Sequence, residues 1–144
     1  MKPLTLVSKD RVDDIIEYLQ ENVPLSFDEY GTGINETYVR QLFDSGALAF
    51  ISTDSDGNIT GLLVFHISDL LPTLPGEKVA IEHVWHSKGR TGHLLMKAYE
   101  NFAKEQGCTK SFMGLTENAY ADKIKSVYLK SNYKLLESTY IKEL

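Results

Sequence analysis

The sequence predicts a single α/β domain of the α+β kind, in which a mixed, mostly antiparallel sheet carries helices on both faces. Two apolar runs joined by a turn sequence predict an antiparallel hairpin, and a strand–helix–strand segment over residues 79–115 predicts one parallel crossover. The 144 residues suffice for one hydrophobic core and contain no internal repeat or linker. We therefore expect one domain over residues 1–144 with the order β-α-α-β-β-β-α-β-α-β-β.

The first third of the chain predicts one short strand and two helices. Residues 4–7 suit a first strand, and a helix is expected to start near Asp10 and to be closed by Pro24. Its apolar residues recur at helical spacing: Val12, Ile15, Ile16 and Leu19. A short second helix is expected around residues 38–43, after an irregular segment with two glycines and several acids.

The middle of the chain predicts the hairpin and the strand after it. The runs ALAFIS at 47–52 and ITGLLVFHI at 59–67 are rich in β-branched and aromatic residues. The segment between them predicts a turn centred on Asp56-Gly57. A further strand is expected over residues 79–85.

The second half predicts two helices that alternate with strands. The first helix should end at Gly107, which suits the position just past a helix C-terminus. Its apolar residues form one stripe: Leu94, Leu95, Ala98, Tyr99, Phe102 and Ala103. A strand is expected over residues 111–115, then a helix that ends near Asn132, then short strands over residues 133–136 and 139–141. The apolar residues of that last helix are Ala121, Ile124, Val127 and Tyr128.

Composition narrows the classes of partner. The chain has a net charge of −5, whereas a nucleic-acid-binding protein usually has a basic face. Nucleic acid is therefore not expected as a partner. The sequence has no apolar run long enough to span a bilayer and no signal-peptide core, so we expect no membrane partner and a cytoplasmic location. The single cysteine, Cys108, cannot form an internal disulfide and fits a reducing compartment.

A basic loop before the long helix raises the question of a missing negative charge. Residues 83–99 include no acid, although the first turn of a helix usually favours Asp or Glu. The loop combines glycines, cationic side chains and hydroxyl donors: Ser87, Lys88, Gly89, Arg90, Thr91 and Gly92. Backbone N–H groups in such a loop bind anions, so we infer that a ligand phosphate supplies the charge. On these residues alone, an ordinary solvated glycine turn is an open alternative.

The order of elements around this loop resembles that of the GNAT-type N-acetyltransferase superfamily. A meander of strands is followed by a strand, the basic loop, a long helix ending in EQG and another strand. The family's pyrophosphate loop has the pattern Arg/Gln-x-x-Gly-x-Gly/Ala, and residues 87–92 take its place. Ser87 stands where the family has Arg or Gln, and Arg90 stands at its first glycine. Small acetyltransferase-like proteins of bacteriophages have comparable loops.

The resemblance extends to the C-terminal part of the chain. Leu95-Met96 takes the place of a leucine pair that follows the family's loop. In the family's last helix and hairpin, a tyrosine precedes a Gly-Phe pair by a few residues, and here these are Tyr128, Asn132 and Tyr133. Asn is a natural substitute for glycine at a left-handed helix end.

The resemblance implies acetyl-CoA as cosubstrate. In the family, pantetheine bonds along the strand before the loop and the diphosphate is held by the loop. The implied cofactor-binding residues are Val84, Trp85, Ser87, Lys88, Gly89, Arg90, Thr91 and Gly92. No metal is expected, because the spacing of the candidate ligands matches no common zinc pattern. Those ligands are His83, His86, His93 and Cys108.

Two residues are predicted to be catalytic. Tyr128 is the candidate general acid for the leaving thiolate, and the alternative is a tyrosine buried in the core. Glu82 is the candidate base, directly or through a water. It lies in the middle of a strand beside the expected cleft, where a charge would otherwise be costly to bury. The alternative for Glu82 is a solvent-facing residue or a pair with Lys78 or Lys88. His83 points to the opposite face of the strand and could serve instead.

The predicted function is transfer of an acetyl group from acetyl-CoA to a primary amine. The acidic and aromatic segment 21–37 suits a cationic acceptor, either a small molecule or a protein, although it could equally be a solvated loop. Glu117 and Asn118 are further candidates to line the cleft, with a helix cap as the alternative for Asn118. The alternative function is a catalytically inactive protein of the same fold, acting as a CoA sensor or as a phage structural or interaction protein. The oligomeric state is open, and a homodimer is one option.

Overall fold

The computed structural model describes residues 4–22, 34–69, 74–115, 120–140, 142 and 144. The chain divides into two compact units, residues 1–114 and residues 115–144. Within the described residues, the first unit contains the sheet and three α-helices. The second contains one helix and the C-terminal segment.

Five strands of the first unit form one mixed sheet. They are β1 (Thr5–Val7), β2 (Leu48–Thr53), β3 (Ile59–Ser68), β4 (Val79–Ser87) and β5 (Lys110–Phe112). The strands lie side by side in chain order, with antiparallel pairing from β1 to β4 and parallel pairing between β4 and β5. The predicted hairpin and the predicted parallel crossover are both confirmed.

Helices cover both faces of this sheet. They are α1 (Val12–Asn22), which follows a short 3-10 turn at Lys9–Arg11, α2 (Glu36–Asp44) and α3 (Gly92–Glu105). Successive residues of β3 face opposite sides, as the pleat of a strand requires. Leu62 and Val64 join the apolar core beneath α1 and α2. Phe65 instead contacts Tyr99 and Phe102 of α3, with ring centroids 5.2 and 5.6 Å apart. The sheet is therefore the middle layer between two helical layers.

Local sequence explains where these elements begin and end. The side chain of Asn35 accepts a hydrogen bond from the N–H of Tyr38 and so caps α2. Gly57 adopts a φ of 85° in the turn between β2 and β3, and Gly107 adopts a φ of 84° just after α3. The predicted turn and the predicted helix end are therefore confirmed. None of the helices in the described ranges is long and apolar enough to cross a membrane.

A β-bulge interrupts β4 at His83. Val84 pairs with Val64 and Glu82 pairs with Phe65, so His83 is an extra residue that has no partner position on β3. A bulge changes which side chains share a face of the strand. It therefore determines where the side chains around Glu82 point.

The pairing of β4 with β5 ends at Ile81, before the bulge. The two strands pair only where Val79–Ile81 lies beside Lys110–Phe112, although β4 continues to Ser87. The end of β5 is held by Tyr99, whose hydroxyl donates a 2.9 Å hydrogen bond to the carbonyl oxygen of Phe112. The β5 side of the last two thirds of β4 is therefore outside the sheet ladder.

The second unit contains α4 (Ala121–Lys130) and a left-handed residue after it. Asn132 has a φ of 68°, which confirms that asparagine takes the role of a glycine at this helix end. The N–H of Tyr133 donates to the carbonyl oxygen of Tyr128 at 2.9 Å, and the two rings lie 5.7 Å apart.

The predicted C-terminal strands are not formed. Residues 133–140 have no strand structure, which corrects the predictions for 133–136 and 139–141, and Ile141 lies outside the described residues. Leu135, Leu136 and Tyr140 are 79%, 71% and 93% exposed, so the apolar residues of this segment bury no face. A strand is stabilised mainly by cross-strand partners and by burial of one face, and this segment shows neither.

Removal of the hydroxyl that holds the end of β5 should destabilise the protein. Tyr99 is fully buried, so Tyr99→Phe leaves the Phe112 carbonyl without this donor and should lower the free energy of unfolding by about 1–2 kcal/mol. Urea unfolding monitored by circular dichroism measures the change. The same substitution at Tyr38, which is 53% exposed on α2, should change stability by less than about 0.5 kcal/mol. Equal losses in both variants would contradict the role of this bond.

Candidate functional site

Most of the predicted site residues lie on the part of β4 that follows Ile81 or in the loop directly after it. Glu82, Val84 and Trp85 lie on this part of the strand, and the basic loop follows directly. The side chain of Val84 packs against the core beneath α1 and α2. The indole N–H of Trp85 donates a 3.0 Å hydrogen bond to the carbonyl oxygen of Gly92. Trp85 thus fixes the start of α3 to the end of β4.

Glu82 has the strongest electrostatic perturbation among these residues. It pairs with Phe65 and shares its face of the sheet, and its carboxylate accepts a hydrogen bond from the backbone N–H of Gly114. Burial raises the pKa of the Glu82 carboxyl from about 4.5 to about 8, and the Gly114 bond offsets only part of this effect. Among the described residues, no ion pair joins Glu82 to Lys78 or Lys88. The ammonium group of Lys88 instead lies 5.5 Å from the ring centroid of Tyr18.

His83 lies on the opposite face, as predicted, and is hydrogen-bonded to a second histidine. The Nε2 atom of His83 lies 2.7 Å from Nδ1 of His66, and both side chains are half-buried. Burial and the neighbouring imidazole lower the pKa of His83, so its ring is neutral at pH 7. A neutral imidazole can accept a proton.

His86, the second histidine of β4, belongs to a separate cluster. Its Nδ1 atom lies 2.7 Å from the hydroxyl of Tyr18, which also donates to the carbonyl oxygen of Thr60 at 3.2 Å. Burial raises the pKa of Tyr18 to about 12, and burial together with Lys88 lowers the pKa of His86. Among the described residues, no three histidine, cysteine or acidic side chains group as metal ligands would.

The basic loop is partly closed by its own hydroxyl groups. The hydroxyls of Ser87 and Thr91 lie 2.9 Å apart, and the N–H of Gly89 donates to the oxygen of Ser87 at 3.3 Å. Lys88, Gly89 and Arg90 are exposed. The loop therefore presents two cationic side chains to solvent, while the two hydroxyls predicted to contact a ligand bond to each other.

The first turn of α3 provides the second half of the candidate anion site. Thr91 is the N-cap residue, its side chain makes no capping hydrogen bond, and the turn contains no acid. The first backbone bond of the helix runs from the N–H of Leu95 to the carbonyl oxygen of Thr91. The N–H groups before it have no acceptor within the helix, and the helix dipole is positive there. A helix start of this kind can bind an anion, and the phosphate site stays a prediction.

Other predicted residues belong to the second unit or lie outside the described part of the chain. Tyr128 is buried on α4 in the second unit. Most of segment 21–37 is not described, and Glu36, which is described, is paired with Arg40 at 2.9 Å. Glu117 and Asn118 also lie outside the described residues.

Sequence reasoning missed several residues of the site. Ser52, Thr60, His66 and Tyr18 contact predicted residues of β4 or its loop through hydrogen bonds. Their partners are 17 to 68 positions away along the chain or belong to the neighbouring strand. The hairpin register pairs Ser52 with Gly61, so alternation of residues in the predicted hairpin does not indicate the contact between Ser52 and Thr60.

The chain is similar in structure to solved acetyltransferases over its full length. A ribosomal-protein-alanine N-acetyltransferase from Brucella melitensis biovar Abortus 2308 matches with a TM-score of 0.71 at 15% identity, covering 99% of both chains. An aminoglycoside acetyltransferase from an uncultured soil metagenomic sample matches with 0.72 at 12% identity, covering 100% of this chain and 99% of that one. A Trypanosoma brucei acetyltransferase matches with 0.65 at 14% identity over 100% of both chains. No family model matches the sequence, and no curated protein matches it significantly.

These likenesses establish the fold. The chain has the architecture of GNAT-type acetyltransferases, a mixed, mostly antiparallel sheet with helices on both faces. The predicted fold class and the predicted resemblance are confirmed at this level.

The raised pKa of Glu82 should make stability depend on pH. Between pH 4.5 and about 8, the carboxyl ionises in the unfolded chain but stays protonated in the folded protein, so the wild type loses stability as the pH rises. The advantage of Glu82→Gln over wild type should therefore grow across this window, by at most about 1.4 kcal/mol per pH unit. Urea unfolding at pH 5, 6.5, 8 and 9 measures this difference.

A matched control comes from a glutamate with the opposite perturbation. The hydrogen bond from Lys110 lowers the pKa of Glu77, so the effect of Glu77→Gln should be constant between pH 6.5 and 9. If Glu82→Gln also gave a constant difference, Glu82 would not be a carboxyl with a raised pKa.

Proposed function

We propose that the protein is an N-acetyltransferase that transfers an acetyl group from acetyl-CoA to a primary amine by direct attack in a ternary complex. The observation that carries this proposal is the course of β4. The strand leaves β5 after Ile81 and leads directly to an uncapped, acid-free helix start at Thr91. A β-strand edge and a helix N-terminus in succession provide a place for an amide-bearing chain that ends in a phosphate.

The residues present fit acetyl-CoA as cosubstrate. When bound, it would supply an acetyl group activated as a thioester. The main chain of Val84 and Trp85 would bond the pantetheine arm, because in the described part of the chain β5 pairs with β4 only as far as Ile81. The N–H groups of the loop and of the first turn of α3 would bind the diphosphate, and the exposed Arg90 and Lys88 would add positive charge.

Glu82 is the proposed base. It accepts, directly or through a water, the proton that the amine must lose as its nitrogen forms a bond to the acetyl carbon and the carbon–sulfur bond breaks. With a pKa of about 8, a growing fraction of Glu82 becomes competent as the pH rises towards 8. His83 is the alternative base, since its neutral ring lies on the other face of the same strand.

Tyr128 is the proposed general acid. The family resemblance supports this role, because Tyr128, Asn132 and Tyr133 match the family's order of residues and Asn132 has the left-handed conformation that a glycine would supply. In this role, the phenolic hydroxyl gives its proton to the leaving sulfur, which restores neutral CoA thiol.

The proposed acceptor is a cationic primary amine, on a small molecule or on a protein. The overall charge of −5 supports a positively charged substrate, because a negative field raises the local concentration of cations. Two of the similar structures are named for amine acceptors, an aminoglycoside in one and a ribosomal-protein alanine in the other. We propose neither a nucleic acid nor a membrane as partner, and a homodimer is one possible assembly.

A second candidate function is favoured by one feature of the loop. The N–H of Gly89 donates to the side chain of Ser87, so one of the amides needed for a diphosphate has an internal acceptor. Ser87 and Arg90 also replace the residues usual at their positions in the family's loop. A protein that binds CoA without catalysis, as a sensor or an interaction module, is therefore the alternative.

An acetyl-transfer assay with matched variants tests the proposed roles. Thiol release from acetyl-CoA is measured with a panel of polyamines, aminoglycosides and lysine peptides. Tyr128→Phe and Glu82→Gln should each lower kcat at least tenfold, because each removes a proton-transfer group, while calorimetry should show acetyl-CoA affinity within about twofold of wild type. Tyr140→Phe, at a tyrosine that is 93% exposed, and Glu77→Gln are the matched controls and should retain activity.

The outcomes separate the two functions. Binding of acetyl-CoA with no thiol release for any amine would support the sensor function over the enzyme. Absence of binding would contradict both. Full activity in Tyr128→Phe would remove this tyrosine from the mechanism while leaving the rest intact.

A further inference from the structure

The hydroxyl of Thr91 is held away from the helix that Thr91 begins. Threonine at an N-cap position usually accepts a hydrogen bond from an N–H two or three residues later, here that of His93 or Leu94. The side chain of Thr91 makes no such bond, and its backbone is helical, with φ −90° and ψ −2°, where a capping residue is extended. Its hydroxyl instead lies 2.9 Å from that of Ser87 and 3.3 Å from that of Ser52.

Ser52 anchors this arrangement from inside the sheet. It is 3% exposed, and its hydroxyl also contacts the hydroxyl of Thr60 at 3.0 Å. The neighbouring Gly61 makes room for it, because a Cβ atom at Gly61 would lie 2.8 Å from the Ser52 oxygen and 3.1 Å from the Ser87 oxygen. Four hydroxyl groups, those of Thr60, Ser52, Thr91 and Ser87, therefore form a continuous chain from the interior to the loop.

We propose that Ser52 and Ser87 are positioning residues that hold the Thr91 hydroxyl away from the first turn of α3. While they hold it, the N–H groups of His93 and Leu94 are available to an anion. Without them, Thr91 can turn its backbone from the helical to the extended conformation of a capping residue and cap its own helix, and the ligand must displace that cap. The proposal rests on the proposed function, since it takes the anion to be the diphosphate of CoA.

The hydroxyl chain also explains why the loop differs from the family's pattern at Ser87. A long Arg or Gln side chain at this position could not take part in a compact hydroxyl chain beneath the loop. A serine fits beside Gly61 and reaches Thr91. The position therefore acts on the ligand through Thr91, and Ser87 needs no direct contact with the phosphate.

A double-mutant cycle distinguishes this role from a simple structural one. Ser87→Ala should weaken CoA binding about five- to tenfold in isothermal titration calorimetry, because it releases Thr91 to cap the helix. Valine has the shape of threonine but no hydroxyl, so it cannot form the cap. When Thr91→Val is already present, adding Ser87→Ala should therefore change the affinity by less than twofold. An equal loss in both backgrounds would overturn the proposal.

A second measurement tests the inference without any ligand. In Ser87→Ala, amide hydrogen exchange at His93 or Leu94 should slow at least threefold, because the cap protects one of these N–H groups. Adding Thr91→Val should remove that protection. Unchanged exchange in Ser87→Ala would overturn the inference, even if CoA binds to the wild type.

Two further comparisons keep the outcomes separate. Ser52→Ala should reproduce the effect of Ser87→Ala in the same direction, and it substitutes for that variant if Ser87→Ala does not fold. If the wild type itself fails to bind CoA, the proposed function is wrong, whereas the exchange measurement still decides the role of the hydroxyl chain.

Discussion

The site depends on a difference between the two strands that pair with β4. On one side, β3 pairs with it from Val79 to Ser87, while on the other side β5 pairs with it only as far as Ile81. The bulge at His83 lies just after that point, and Glu82 and His83 lie on opposite faces of the strand. One strand therefore belongs to a rigid sheet and also offers a main-chain edge. Rigid positioning of a strand edge beside a helix start is what binding of an extended cofactor requires.

Much of the fold follows from local patterns in the sequence. The hairpin and its Gly57 turn, the apolar stripes of α1 and α3, and the end of α3 at Gly107 are all strong short-range signals, and the structure confirms them. The acid-free helix start could also be predicted, because it depends on composition within one turn. The prediction of C-terminal strands was wrong. A strand needs one buried face, and the apolar side chains of this segment, such as Leu135 and Leu136, are exposed.

The interior of the site depends on contacts that the sequence does not show. A bulge adds one residue to a strand without any local signature, so the side-chain hydrogen bond between His83 and His66 could not be predicted. Ser52 reaches Thr91 across 39 positions, and its importance comes from its burial beneath the loop. The raised pKa of Glu82 likewise results from tertiary burial. Sequence reasoning thus identified the candidate residues of β4 and its loop, while packing determined their surroundings.

The most direct test of the central claim is a crystal structure of the protein in complex with acetyl-CoA. The account predicts that diphosphate oxygens lie within hydrogen-bond distance of main-chain N–H groups between Gly89 and Leu94. It also predicts that the pantetheine arm lies along β4 between Glu82 and Trp85. A diphosphate bound elsewhere, or a cofactor away from this edge of β4, would contradict the account.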